Sequence, residues 1–329
     1  MAERAPRRAL RDTGADTVRG IIMVNICYFL LTVGDIATMW ALPVTGVAGA
    51  MVGRGIFGGA SVAGLSFLPN ATSPRGLRRV VPVRWGMVMF RSLVHCAASL
   101  AWYLAWDYGM PLAESYAIGY AAPLLMTLMA IPMLGEKLTK RRMAATGIGF
   151  LGMLVMLRPG GALWTPVSLI LLAGVVMMAT SRTLTRVLST TETPECLTFW
   201  LLAVHIPFGG VMMLIGWPLQ GLTIVAVAAL AVLGLSNGIA HWLHSRAAAL
   251  APIGAIAPYE YAGMLWAVLL GFIFFAQVPS LGTVIGALVV VAAGLSNFYS
   301  EHQRSRSERM AAGGALAAAA PAVAQRNDQ

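Results

Sequence analysis

The stretch "APYEYAGMLWAVLLGFIFFA" at positions 257–276 carries one carboxylate, Glu260, set between two tyrosines in otherwise apolar surroundings. A charged side chain at the centre of a bilayer costs about 2.5–3.5 kcal/mol on insertion scales, so an acid in such a run should face other protein groups. Two roles fit Glu260. It can pair with Arg91 or hydrogen-bond the tyrosines and so fix helix packing, or it can bind a positive substrate group or exchange a proton. Arg91 divides in the same way, between balancing Glu260 and binding a carboxylate. His205 precedes Pro207 and divides between satisfying a carbonyl that the proline frees and joining the same site.

A second pair of opposite charges, Asp35 and Arg54, sits in consecutive apolar runs. Matched depth in neighbouring helices suggests an ion pair, either structural or an extracytoplasmic gate. Aromatic side chains supply walls. Tyr116 and Tyr120 are spaced i,i+4 and share a helical face, and Tyr261, Trp102 and Trp242 occupy comparable regions. Such residues serve as interfacial anchors or as packing, or they stack on a planar or cationic organic molecule.

The elements that must position these groups follow from composition. Of 329 residues 58% are hydrophobic and 11% charged, against about 25% charged in a soluble domain. The chain therefore reads as an all-α, polytopic membrane protein. Windows of about 20 apolar residues give ten spans, at 20–41, 47–68, 83–106, 111–133, 143–157, 167–188, 197–217, 222–244, 252–275 and 281–299. Glu260, Arg91 and His205 each lie eight residues past the start of their spans, roughly 12 Å deep at 1.5 Å per residue. A common depth in three helices is consistent with one polar cavity.

The net charge of +10 belongs to the loops. With the N-terminus cytoplasmic, all of the 23 basic residues except Arg54, Arg91 and Arg158 fall on one side, a positive-inside bias that places both termini in the cytoplasm. The same placement excludes nucleic acid as a partner, because no basic face is interleaved with aromatics. Cys27, Cys96 and Cys196 lie in or beside apolar runs without CxxC spacing and read as small hydrophobes.

An internal repeat joins the halves. "LAWYLAW" at 100–106 resembles "IAHWLHS" at 239–245, setting Trp102 against Trp242, and the segments after them correspond at a shift of roughly 140 residues. Five spans per half give the two copies opposite orientations, the sequence signature of secondary transporters. The expected organisation is a basic cytoplasmic tail over 1–19, five-helix repeats over 20–160 and 161–300, and a disordered cytoplasmic tail over 301–329.

Positions 110–160, "MPLAESYAIGYAAPLLMTLMAIPMLGEKLTKRRMAATGIGFLGMLVMLRPG", resemble the first repeat of EamA-type carriers of the drug/metabolite transporter superfamily. The "PLA" helix start, the "AAPLL" mid-helix, the "LGE" before a basic loop and the closing "GFLGMLVMLRPG" carry the likeness. "APYEYAGMLWAVLLGFIFFAQVP" is similar to the second repeat of a subgroup that includes riboflavin and S-adenosylmethionine carriers. The resemblance implies ten helices as two inverted five-helix repeats around a central cavity open alternately to each side. One departure stands out: Ala276-Gln277 occupies the place where the family usually has Gly-Glu, which puts that glutamate's capping or gating role in question here.

Three motifs are declined. "GIGFLG" lacks the strand and soluble βαβ unit that a dinucleotide site needs, "GLSNG" lacks the strand-to-helix turn of a nucleophile elbow, and "GTVIG" is a GxxxG compatible with a homodimer. No metal-ligand spacing occurs and no cofactor is implied. The expectation is thus a multi-pass carrier of the inner membrane that moves a small organic metabolite, cationic or planar aromatic, as exporter or importer. A coupling proton, an exchanged solute or the solute's own gradient, in facilitated diffusion, would drive it. An integral-membrane enzyme, a channel and a scaffold are the alternatives.

Overall fold

Pro43 and Gly46 set the shape of the first third of the chain. In a computed structural model, which describes residues 14–68, 76–134, 147, 148, 151, 165–217, 219–250, 262–282, 284–286, 288, 289, 291 and 292, helix α1 (Gly14–Leu65) is broken at Gly46, with φ 67° and ψ 172°. That conformation is open essentially to glycine alone. Pro43, three residues earlier in the same helix, lacks the N–H that would hold the ladder straight. An unbroken helix would separate Asp35 from Arg54 by about 28 Å, yet both line one cavity. The two arms of α1 therefore run back alongside each other and serve as the first two spans.

Prolines divide two later spans as well. The fourth becomes α3 (Leu112–Gly119) and α4 (Ala121–Leu134) around Tyr120, and the seventh becomes α6 (Pro194–Ala203) and α7 (His205–Leu214) around Val204. Pro123 and Pro207 each lie three residues past the break and cannot donate to the carbonyl of the preceding turn. Between them run α2 (Trp85–Asp107) and α5 (Pro166–Leu188), followed by α8 (Ile224–Leu250) and α9 (Ala262–Phe275). The described residues of 281–292 are helical. The helix start at Gly14 extends the first span into the expected tail, and the fifth span and the first half of the ninth lie largely outside the described residues.

Local chemistry explains these boundaries. Thr165 and Thr193 cap α5 and α6, each accepting from the N–H three residues on, with proline in the first turn, which satisfies donors the helix itself leaves orphaned. Buried hydroxyls fold back on their own helix: Thr38 donates to Gly34 O at 2.8 Å, Ser92 to Val88 O at 2.7 Å and Thr183 to Ala179 O at 2.9 Å. In lipid no water would serve them. Ile22, Ile26, Ile56, Phe90 and Leu169 are exposed, as an outer face toward acyl chains requires.

The helices form an all-α bundle with no strand among the described residues. Both arms of α1 pack on α8, α2 packs on α5, and α9 lies against α1 and α3. The departure at positions 276 and 277 acquires a structural meaning here. Ala276 sits in the left-handed region at φ 52°, and its N–H returns to Phe272 O while that of Gln277 returns to Gly271 O, which closes α9 in a left-handed C-cap without the usual glycine. Gln277 Oε1 then accepts from Leu112 N at 3.0 Å and caps α3. The amide thus ties the second half of the chain to the first.

Candidate functional site

Depth along a helix is fixed by sequence, but the face a side chain presents is fixed by packing. A cavity of about 90 Å³ lies between α1, α2, α3, α5 and α8, several times the roughly 10–15 Å³ one water needs. Its aromatic wall comes from α2 and α3. Trp102 meets Trp106 and Tyr116 edge-on, each at 5.7 Å between ring centroids, and Tyr116 meets Tyr120 at 6.5 Å. Tyr103 stacks on Trp106 at 5.9 Å. Gly119 makes room for Trp102, since a Cβ there would stand 2.7 Å from the indole. On the far side Gly263 of α9 brings its backbone against Tyr28, Tyr116 and Tyr120.

Two charges face this cavity from the two arms of α1. Asp35 Oδ2 accepts a hydrogen bond from Tyr116 Oη at 2.6 Å, and the same hydroxyl lies 3.2 Å from Thr32 Oγ1. Arg54 is 6% exposed. Its Nη1 donates to Ser99 Oγ at 3.1 Å and to Tyr103 Oη at 3.3 Å, and its Nη2 lies 3.4 Å from His95 Nε2 and 3.2 Å from His241 Nε2. The expected Asp35–Arg54 ion pair does not form: each is held by neutral groups, and no carboxylate of the described residues lies within 4.0 Å of Arg54. The pair faces a common space.

Trp102, Tyr116 and Tyr120, all expected at the site, line the cavity. Arg91 does not. It is 4% exposed, and it donates through Nε to Thr185 Oγ1 at 2.8 Å and through Nη1 to Leu197 O at 2.7 Å, bracing α2 against α5 and α6. It borders a separate pocket of about 10 Å³, room for a single water. His205 is wholly buried beside His95, with ring centroids 6.3 Å apart and neither nitrogen hydrogen-bonded, and it is absent from the linings of both spaces. Glu260 and Tyr261 lie outside the described residues.

Trp242 belongs to another region. Its Nε1 donates to Glu195 Oε1 at 3.2 Å, and the Arg246 guanidinium lies over its ring at 4.8 Å. Glu195 in turn meets Arg79 at 3.8 Å, and Glu192 accepts from the backbone N–H groups of Val83 and Arg84 at 2.9 and 2.7 Å. The set fastens the 80s segment to the start of α6. Matching the repeat residue for residue, "LAWYLAW" against "IAHWLHS", puts Trp102 opposite His241, and His241 is the residue that lines the cavity. Setting Trp102 against Trp242 is off by one residue, or about 100° of helix.

Several lining residues carry no signal in hydropathy. His95, Tyr103, Asn237 and Tyr28 read as isolated polar atoms in apolar runs, although His95 lies four residues after Arg91 on one helical face. Arg182 reads as a loop charge. It donates to Tyr28 Oη at 2.9 Å and lines the cavity from the last two turns of α5.

No family model matches the chain. It is 25% identical over 297 residues to a riboflavin transporter of Brucella anthropi, covering 88% of this chain and 100% of the relative. A riboflavin transporter of Rhizobium johnstonii is 29% identical over 61% of this chain and 68% of its own. An S-adenosylmethionine uptake transporter of Rickettsia prowazekii is 25% identical over 66% and 76%. A crystal structure shares the fold at a TM-score of 0.64 and 19% identity, over 84% of this chain and 95% of the other. These relatives bear out the resemblance to drug/metabolite carriers, and their names support a multi-pass membrane transporter and a non-enzyme.

Proposed function

We propose that this chain, a relative of drug/metabolite carriers, moves a small planar organic metabolite across the inner membrane by alternating access. In this reading residues 20–160 and 161–300 form two inverted five-helix repeats, both termini are cytoplasmic, and the halves rock about the cavity between them. One observation carries it: a polar-floored, aromatic-walled cavity inside an apolar bundle, with Trp102, Trp106, Tyr116 and Tyr120 beside Asp35 and Arg54. Side chains of this kind offer ring stacking along the wall and hydrogen bonds at one end, which is how planar metabolites are held. Asp35 and Arg54 are here substrate-facing groups in place of a closed ion pair, and Arg91 keeps the helices in register.

The names of the relatives make riboflavin and S-adenosylmethionine the first substrates to try. The test is flux into proteoliposomes holding the purified full chain. Saturable uptake of either compound, accelerated by the same compound loaded inside, is the expected result, and Trp102→Ala should reduce it about tenfold or more. Flux that rises linearly with concentration and ignores internal solute would make the protein a channel. Chemical conversion of the solute would make it an enzyme.

A further inference from the structure

We infer that Arg54, with His95 and His241, forms a subsite for a carboxylate of the transported molecule, so that the cavity takes planar organic acids; this rests on the carrier reading above. A guanidinium is strongly costly to bury without a counter-charge. Arg54 is nevertheless 6% exposed, and its hydrogen bonds reach only hydroxyls and imidazoles among the described residues, at 3.1–3.4 Å. Two donors or acceptors at the same place have no partner at all, Arg54 Nε and His95 Nδ1. Unpaired buried polar atoms of this sort are rare in native proteins and call for an explanation, which a group bound in the adjoining cavity would supply.

Arg91 shows how the fold holds a buried arginine on its own framework. Its donors end on carbonyls and a hydroxyl of neighbouring helices, two of them at 2.7 and 2.8 Å. Arg54 has longer bonds to side chains, and those side chains face a cavity. A carboxylate accepts two parallel N–H bonds from the guanidinium fork, and the Tyr103 hydroxyl, which accepts from Arg54 Nη1, keeps its own hydrogen to donate beside it. Trp102 and Tyr116 stand in the same wall, placing a planar ring next to the acid.

The other charges facing the cavity limit its valence. Asp35 lies in the opposite arm of α1 and Arg182 at the α5 edge. Asp35 disfavours a second negative charge, so a monocarboxylate fits better than a phosphate ester.

The experiment uses the purified full chain in lipid nanodiscs and intrinsic tryptophan fluorescence, since two tryptophans line the site. Matched probes differ only in the acid: nicotinate against nicotinamide, and benzoate against benzamide. Wild type should bind at least one acid about tenfold more tightly than its amide, and Arg54→Gln should bring the ratio of the two affinities to about one. Arg54→Lys should keep part of it. If Arg54→Gln fails to fold, the wild-type comparison and the lysine variant decide. Equal binding of acid and amide, binding of none of the four, or an acid preference that survives in Arg54→Gln overturns the inference. An acid preference without any counterflow would sink the carrier reading alone, whereas riboflavin counterflow without an acid preference would sink this inference alone.

Discussion

Arg54 and Arg91 are the same residue type, both almost fully buried and both inside apolar spans, yet the structure treats them in opposite ways. Arg91 donates to the backbone of α6 and to a threonine of α5, and the space beside it holds about one water. Arg54 is surrounded by side-chain hydroxyls and imidazoles, keeps an unpartnered Nε, and looks into the main cavity. Carbonyl partners are parts of the scaffold, so a cation bound to them is a strut. Side-chain partners around empty space leave a cation available. The environment of a buried charge, rather than its presence, separates structure from function.

The strongest way to break this contrast is to replace each arginine by methionine. Arg91→Met leaves several buried acceptors unserved at about 1–3 kcal/mol each, so the melting temperature in detergent and the amount of folded protein in membranes should fall sharply. Arg54→Met removes a buried charge that no carboxylate among the described residues pairs, and with it the cost of its desolvation. Its melting temperature should hold or rise while acid binding disappears. Melting shifts of the same sign in both variants would erase the distinction.

Gly119→Ala tests the wall. The new Cβ would meet the Trp102 indole at 2.7 Å, an overpacking worth about 1–3 kcal/mol, and it should push the ring into the cavity. Ligand affinity should drop along with stability, measured by titration and by thermal unfolding on the same sample. Trp242→Phe tests the region assigned to structure: it loses the bond to Glu195, about 1 kcal/mol, and should leave ligand affinity unchanged. Asp35→Asn sharpens the valence argument with the smallest effect. Removing a like charge across the cavity should tighten acid binding roughly threefold and leave the matched amides alone, as fluorescence titration would read.

The spans were legible because bilayer thickness and apolar run length are one-dimensional facts. All ten expected segments are mostly helical over their described residues, the Tyr116–Tyr120 part of the aromatic wall followed from i,i+4 spacing, and Trp102 followed from the repeat. Azimuth was not legible. Arg91 lies at a depth suited to a shared cavity, but its face turns toward α5 and α6, and only packing decides that. Trp242 went astray through one residue of register, which carried attention past His241. His95 was hidden by its size, since one imidazole in "RSLVHCAAS" hardly changes a window average. Arg182 was hidden by its address, counted with the loop charges although it reaches inward to Tyr28.

The single-residue break at Gly46 leaves no slack between the arms that carry Asp35 and Arg54. Most antiparallel spans are joined by a loop that can absorb a few ångströms of sliding, and these two are not. The acid and the guanidinium are mounted on the legs of one compass, so their spacing can change only by opening or closing the angle at its pivot. Any motion that admits a solute between them must swing both legs together.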